Sequence, residues 1–172
     1  MSDRYSTPND KPGLPYDIRK QAVLSFAAEG DIQIGAPVRQ VSENGVLSCD
    51  GSSCLGIALV TPTITHDRDS YEAGDVVPVL SRGACYIKAG ADGIVPGQRA
   101  FVNSAGLFTN SSNEAVVIGR FITGGDTDEL VVVELTGASR TTLMANVPFG
   151  FDAEEDNGFG SVDEPGEGAG LG

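Results

Sequence analysis

Between residues 21 and 136 the chain breaks into short runs of Val, Ile, Leu and Phe, cut about every 8–12 residues by Gly, Asn or Asp. That spacing constrains the fold more than any other feature. Nowhere does a window of about 11 or more residues keep a 3.6-residue apolar period, so a long helix has no sequence to form it. Strands are expected near 21–27, 31–34, 36–41, 45–48, 54–60, 76–80, 83–88, 98–103, 106–109, 115–123 and 129–136. Tight turns are expected at Asn44-Gly45, Asp92-Gly93 and Ala105-Gly106, because a positive φ costs Gly nothing and Asn or Asp little. The expected class is all-β, a small β-barrel or sandwich.

An internal echo bears on how such a sheet closes. Gly35-Ala-Pro-Val38, Asn44-Gly45-Val-Leu47 and Leu55-Gly56-Ile-Ala58 are followed, roughly 60 residues on, by Gly97-Gln-Arg-Ala100, Ala105-Gly106-Leu-Phe108 and Ile118-Gly119-Arg-Phe121. Each copy reads as strand, turn, strand, loop, strand with a Gly-containing bulge or bend. The two copies predict two similar halves of one small barrel.

The ends differ from the body. Residues 1–20 carry Pro8, Pro12 and Pro15 without apolar periodicity and predict an extended arm with no helix or strand ladder of its own. Residues 137–150 predict an irregular strap. Residues 151–172 hold seven acids, six glycines and no basic residue, and predict a disordered acidic tail. The division expected is therefore arm 1–20, β-domain 21–136, strap 137–150 and tail 151–172.

With 24 acidic against 11 basic side chains and a formal charge of −13, binding to a nucleic-acid backbone or an anionic membrane is disfavoured. No apolar run reaches the length of a signal peptide core or a membrane span, so a soluble chain made in the cytoplasm is expected. Only Lys11, Lys20 and Lys88 are lysines, and this scarcity beside the acid excess predicts a halophilic host. Three cysteines, Cys49, Cys54 and Cys85, do not make a disulfide framework in a chain of 172 residues. Cys54 and Cys85 fall in expected strands as small buried groups, and Cys49 sits at a turn edge.

Catalysis has little to stand on. The single histidine, His66, lies in a polar loop beside Asp67 and Asp69, with no partner spaced to orient it. Cys49-x4-Cys54 lacks the second knuckle of a structural zinc site. The acids at 124–129 and 152–158 do not follow a calcium loop, since the second places its Gly at the seventh position with no flanking helices. No phosphate-cradling glycine loop occurs in the body. The expectation is no enzyme, no cofactor and no metal.

Several segments, taken in order, carry a resemblance. They are residues 31–38, Leu55-Gly-Ile-Ala58, Ala73-Gly-Asp-Val-Val-Pro-Val-Leu80 and Arg82-Gly-Ala-Cys-Tyr-Ile87. After them come residues 95–102, Val117-Ile-Gly-Arg-Phe121 and Leu130-Val-Val-Val-Glu-Leu135. This order over about residues 22–136 resembles the capsid decoration, or structural cement, proteins of tailed viruses. The resemblance implies a β-barrel on the outer surface of an icosahedral head, a homotrimer at a local threefold, tying neighbouring major capsid protein subunits together. On that reading the partners are the major capsid protein and further copies of the chain. Tyr5, Leu14, Pro15, Tyr16 and Ile18, the sizeable apolar residues of the arm, are the candidate capsid contacts, because prolines among them pre-set an extended backbone that buries large area on docking. The alternative is a soluble ligand- or glycan-binding β-barrel module. It is weakened by the absence of Trp and by only four Tyr, two of them in the arm.

Overall fold

A computed structural model describes residues 11–61, 68–113 and 115–136, excepting the side chains of Ile18 and Arg19. All regular structure in these residues is β: β1 Pro15–Ala28, β2 Ile32–Gln33, β3 Pro37–Gln40, β4 Gly45–Ser48, β5 Gly56–Ala58, β6 Ser70–Tyr71, β7 Val76–Lys88, β8 Arg99–Val102, β9 Phe108–Thr109, β10 Val116–Phe121 and β11 Leu130–Leu135. The all-β expectation holds. The strap 137–150 and the acidic tail 151–172 lie outside the described residues.

The main sheet runs in the order β1-β4-β3-β5-β7-β11-β10-β8-β9, and β1 also pairs with β7. That extra pairing closes a first ring, β1-β4-β3-β5-β7. A parallel bridge from Ala89, just beyond β7, to Phe108 of β9 closes a second ring, β7-β9-β8-β10-β11. Strand β7 belongs to both. Its first half closes the first ring against β1, through Val77 opposite Phe26 and Val79 opposite Leu24. Its second half opens the next ring against β11, through Ile87 opposite Val131 and Cys85 opposite Val133.

The echo read in the sequence is thus a repeat of hydrogen bonds, but each copy closes a ring of its own, where the sequence predicted two halves of one barrel. Gly35 N–H donates to Ala58 O and Gly97 N–H to Phe121 O, each at 2.8 Å. Ala28 N–H donates to Asp75 O at 2.8 Å, and Ala89 N–H to Glu129 O at 2.9 Å. Gly56 faces Val38, and Gly119 faces Ala100. A Cβ on Gly56 would stand 2.1 Å from Leu80 O, and one on Gly119 1.9 Å from Glu134 O, so both glycines are required where the third strand of each copy presses on the closing strand.

Each ring encloses its own apolar cluster. The first holds Ala28, Ile32, Val38, Val46, Ala58, Tyr71, Val77 and Val79. The second holds the corresponding Ala89, Ile94, Ala100, Phe108, Phe121, Val131 and Val133, and extends to Ile57, Leu80 and Cys85, which tie the two rings together.

Three boundaries differ from the sequence reading. The arm expected at 1–20 joins the ladder from Pro15, which faces Cys85, while Asp17 faces Ala84. Proline tolerates this because it stands at the first position of a strand, where a missing N–H does least harm. The expected strands 76–80 and 83–88 are one strand, because Gly83, at φ +126°, carries the chain from one ring into the next without ending the ladder. Among the expected turns, Gly93 and Gly106 take left-handed φ of +67° and +73°, and Gly45 does not. At Gly45 the missing side chain instead leaves room for Glu29 and Ser42, whose hydroxyl donates to the Glu29 carboxylate at 2.5 Å.

Candidate functional site

Where the two rings meet, the end of the arm folds back on the body. Gly13 N–H donates to Tyr86 O at 2.8 Å, Tyr86 N–H to Leu14 O at 2.9 Å, and Val60 N–H to Gly13 O at 3.0 Å. Beside this seam lies a half-open groove of about 1020 Å³. Its walls are Lys11, Pro12, Leu14 and Pro15 from the arm, the 33–37 turn, Ser48 and Cys49, Val60 and Thr61, Arg68 and Asp69, Lys88, and the 105–108 hairpin. The lining is predominantly apolar. Two of the three lysines of the chain, Lys11 and Lys88, lie on it, beside Asp69. Arg68 is held by Glu72 at 3.1 Å and by Asp75 at 3.0 Å.

The candidate contacts separate in space. Leu14 and Pro15 are half-buried and line the groove, so part of their apolar surface already serves the protein's own fold. Tyr16 is 40% exposed, and its ring meets Tyr86 edge-on at 5.6 Å. Ile18 is in β1, with its side chain outside the description, and Tyr5 lies outside the described residues, as does His66.

A second exposed apolar feature is absent from the sequence reading. Val23 and Leu24 of β1 are 45% and 46% exposed, and Val76 at the start of β7 is 66% exposed. Successive strand residues point to opposite faces, so Val23 and Leu24 open β1 to solvent on both sides. The second ring buries the equivalent of Leu24, Cys85, completely. That ring is capped by the first, whereas among the described residues no strand precedes β1 to cap the first.

The titratable groups follow their surroundings. Burial pushes the Cys85 thiol up to about 12, and burial together with Asp75 pushes Tyr71 up to about 12. The Tyr71 hydroxyl donates to Leu59 O. Asp92 is held below its usual value by the hydroxyl and amide of Thr127, and Asp50 by those of Ser52. Among the described residues no group of three or more His, Cys, Asp or Glu side chains is placed to hold a metal ion.

Comparison with known proteins turns these surfaces into a functional question. The family model described as "Structural cement protein (E217 gp24/Pam3 gp6)", a phage cement family, matches residues 4–136. The chain belongs to the phage structural cement protein family. The structure titled "The capsid of Myoviridae Phage XM1" is similar in fold, with a TM-score of 0.60 at 16% identity over 78% of this chain and 97% of that one. The head fiber gp8.5 N base of bacteriophage phi29 aligns with a TM-score of 0.47 at 14% identity, covering 67% of this chain and 94% of that one. A search of curated proteins finds no match. Membership in the cement family gives the protein a structural role in the virion and an association with capsid proteins. The family match begins ahead of the groove, at residue 4, and runs through β11 to residue 136.

Proposed function

We propose that this cement protein sits on the outer surface of the head, bridges neighbouring major capsid protein subunits, and works as a homotrimer without chemistry of its own. The observation that carries this reading is the family match over residues 4–136, which spans the arm and both rings. The groove supplies a surface suited to capsid contact, with apolar walls, the lysines Lys11 and Lys88, and arm residues Leu14 and Pro15 in its rim. Tyr5, Tyr16 and Ile18 extend that contact along the arm. The open apolar strand β1, with Val23 and Leu24, suits contact between copies, since exposed apolar patches on a closed sheet favour association.

The decisive experiment adds purified protein to heads stripped of it and reads occupancy by gel stoichiometry, along with the temperature at which heads open. Binding near the copy number of the capsid subunit with later opening supports the proposal; failure to bind heads removes it and leaves the soluble ligand-binding module. The arm is tested by deleting residues 1–10 only, because residues 13–17 are bonded to the body and their loss would damage the fold. Deletion should leave the melting temperature unchanged and lower occupancy. Salt dependence tests the halophilic origin. With a Debye length of about 3 Å at 1 M and about 30 Å at 0.01 M, repulsion within an acid-rich protein is screened only in concentrated salt, so the melting temperature should climb between the two.

A further inference from the structure

The turn between β4 and β5 begins and ends with cysteine, Cys49-Asp-Gly-Ser-Ser-Cys54. We propose that Cys49 and Cys54 form an intramolecular disulfide by exchange with a small-molecule disulfide such as glutathione disulfide, which makes this turn a covalent modification site.

Geometry carries the proposal. Both side chains belong to the cluster that joins the rings, at 5% and 6% exposure, and the Cys49 thiol folds back over its own turn to the carbonyl of Ser53, the residue bonded to Cys54. When protonated, Cys49 donates to Ser53 O at 2.9 Å; its sulfur also accepts from Gly51 N–H at 3.4 Å. Cys54 reaches Gly56 O at 3.5 Å. Closing an S–S bond of about 2.05 Å requires the sulfurs to approach further. That approach falls to the exposed residues Asp50 and Ser52, because Gly51, at φ +81°, is packed against Ser104.

The two thiols play different parts. The neighbouring Cys54 thiol draws the Cys49 thiol below its ordinary value, which favours its thiolate, and Cys49 lies on the groove. Cys49, together with burial, pushes Cys54 up. Cys49 is therefore the attacking sulfur and Cys54 the resolving one. The Cys49 thiolate attacks one sulfur of glutathione disulfide, forming a mixed disulfide and expelling one glutathione thiolate. Cys54 loses its proton, attacks the Cys49 sulfur and expels the second glutathione. Two protein thiols are oxidised, one small-molecule disulfide is reduced to two thiols, and the two protons pass to the departing glutathiones.

The third cysteine is an internal control. Cys85 is fully buried in β7, and burial alone raises its thiol to about 12. The equivalent turn of the second ring, residues 110–115, carries no cysteine, so the pair is not a requirement of the repeat. Its position has a consequence. The backbone of Gly51 lies against Ser104, and Gly106 lies against the Cys49 carbonyl, so a disulfide here would fix the contact between the turns of the two rings. A virion component passes from a reducing cell to an oxidising medium, where such a bond forms and persists.

The test incubates the native full-length protein with glutathione disulfide, blocks remaining thiols in denaturant, and weighs the intact chain and its peptides. The expected product has lost two of its three titratable thiols, is lighter by two hydrogens before blocking, and carries the blocking group only on Cys85. Cys54→Ser should instead accumulate one glutathione on Cys49, and Cys49→Ser should react many-fold more slowly. Retention of all three thiols in the wild-type protein, a stable glutathione adduct on it, or loss of the Cys85 thiol in place of Cys54 would each overturn the proposal.

Discussion

The two rings are one strand plan filled in two ways, and the difference lies in where each keeps its bulk. In the first ring the third strand contributes Ala58 and the short β6 contributes Tyr71, which faces Ile32. In the second ring the equivalent third-strand position is Phe121, and the partner of Ile94 is Gly125. Val38 and Val46 of the first ring answer to Ala100 and Phe108 of the second. Close packing requires each interior to be filled, but not from the same positions. Repetition preserves the hydrogen-bond ladder while the side chains inside it are free to trade volume.

The largest effects should come from those traded aromatics. Phe121→Ala and Tyr71→Ala should each cost about 4 kcal/mol in urea unfolding, as fully buried aromatics do when cut to Ala. If one costs less than half the other, the two interiors are not equally filled, and the comparison breaks.

Alkali should then separate the rings. Only the second has a thiol at the lead-strand position, Cys85, where the first has Leu24. A folded pKa of about 12 against 9.0 for the free thiol means its contribution is fully present below pH 9 and is lost as pH rises through 12. At about 1.4 kcal/mol per unit, the loss approaches about 4 kcal/mol. Tyr71 acts with the same sign but only from its ordinary value of 10.0 upward. The buried Cys54 thiol adds a loss of the same sign from the same starting value, so chemical unfolding across pH 8–12 should show a loss beginning near pH 9 that Cys85→Ala reduces, and an unchanged profile in that variant would place its origin elsewhere.

Gly56→Ala and Gly119→Ala sharpen the equivalence itself. Each sets a methyl group about 2 Å from a backbone carbonyl, which side-chain rotation cannot relieve. Each should cost about 3 kcal/mol, the range of severe overpacking. A tolerated substitution at one of the two would mean that the strands press differently in the two rings.

The smallest stability effect is expected at the open end of the first ring. Leu24→Asp, at an exposed position, should change unfolding by no more than about 0.5 kcal/mol and should weaken self-association measured by sedimentation. Its counterpart Cys85→Asp should prevent folding, because it would bury an unpaired carboxylate. Unaltered sedimentation of the Leu24 variant would move the contact between copies to another face.

Much of this plan was legible in the sequence. The spacing of Gly and apolar runs located β3, β4, β5, β8, β9, β10 and β11, because turn chemistry and period-2 burial act over a few residues. The correspondence of Leu55-Gly56-Ile-Ala58 with Ile118-Gly119-Arg-Phe121 marked positions that the backbone hydrogen bonds bear out. Strand β6 escaped notice because it is two residues long and takes its place from the partner Ile32, not from any local pattern. The groove had no signal at all, since Lys11, Lys88 and the 105–108 hairpin are distant in the chain. Nor did the fold of the Cys49 thiol back onto the Ser53 carbonyl, which depends on how the turn is laid down beside β3.

The sequence by itself determined the β class, the repeated strand plan and the punctuation of the turns, because each rests on the conformational preference of a residue and its near neighbours. Tertiary structure decided that one strand would serve two rings, that the arm from Pro15 would pair with Cys85, and that Val23 and Leu24 would remain exposed while Cys85 was covered. Those outcomes depend on which strands meet. Hydrogen-bonding edges and apolar faces are alike along every strand of such a chain, so only closure of the whole sheet selects among them.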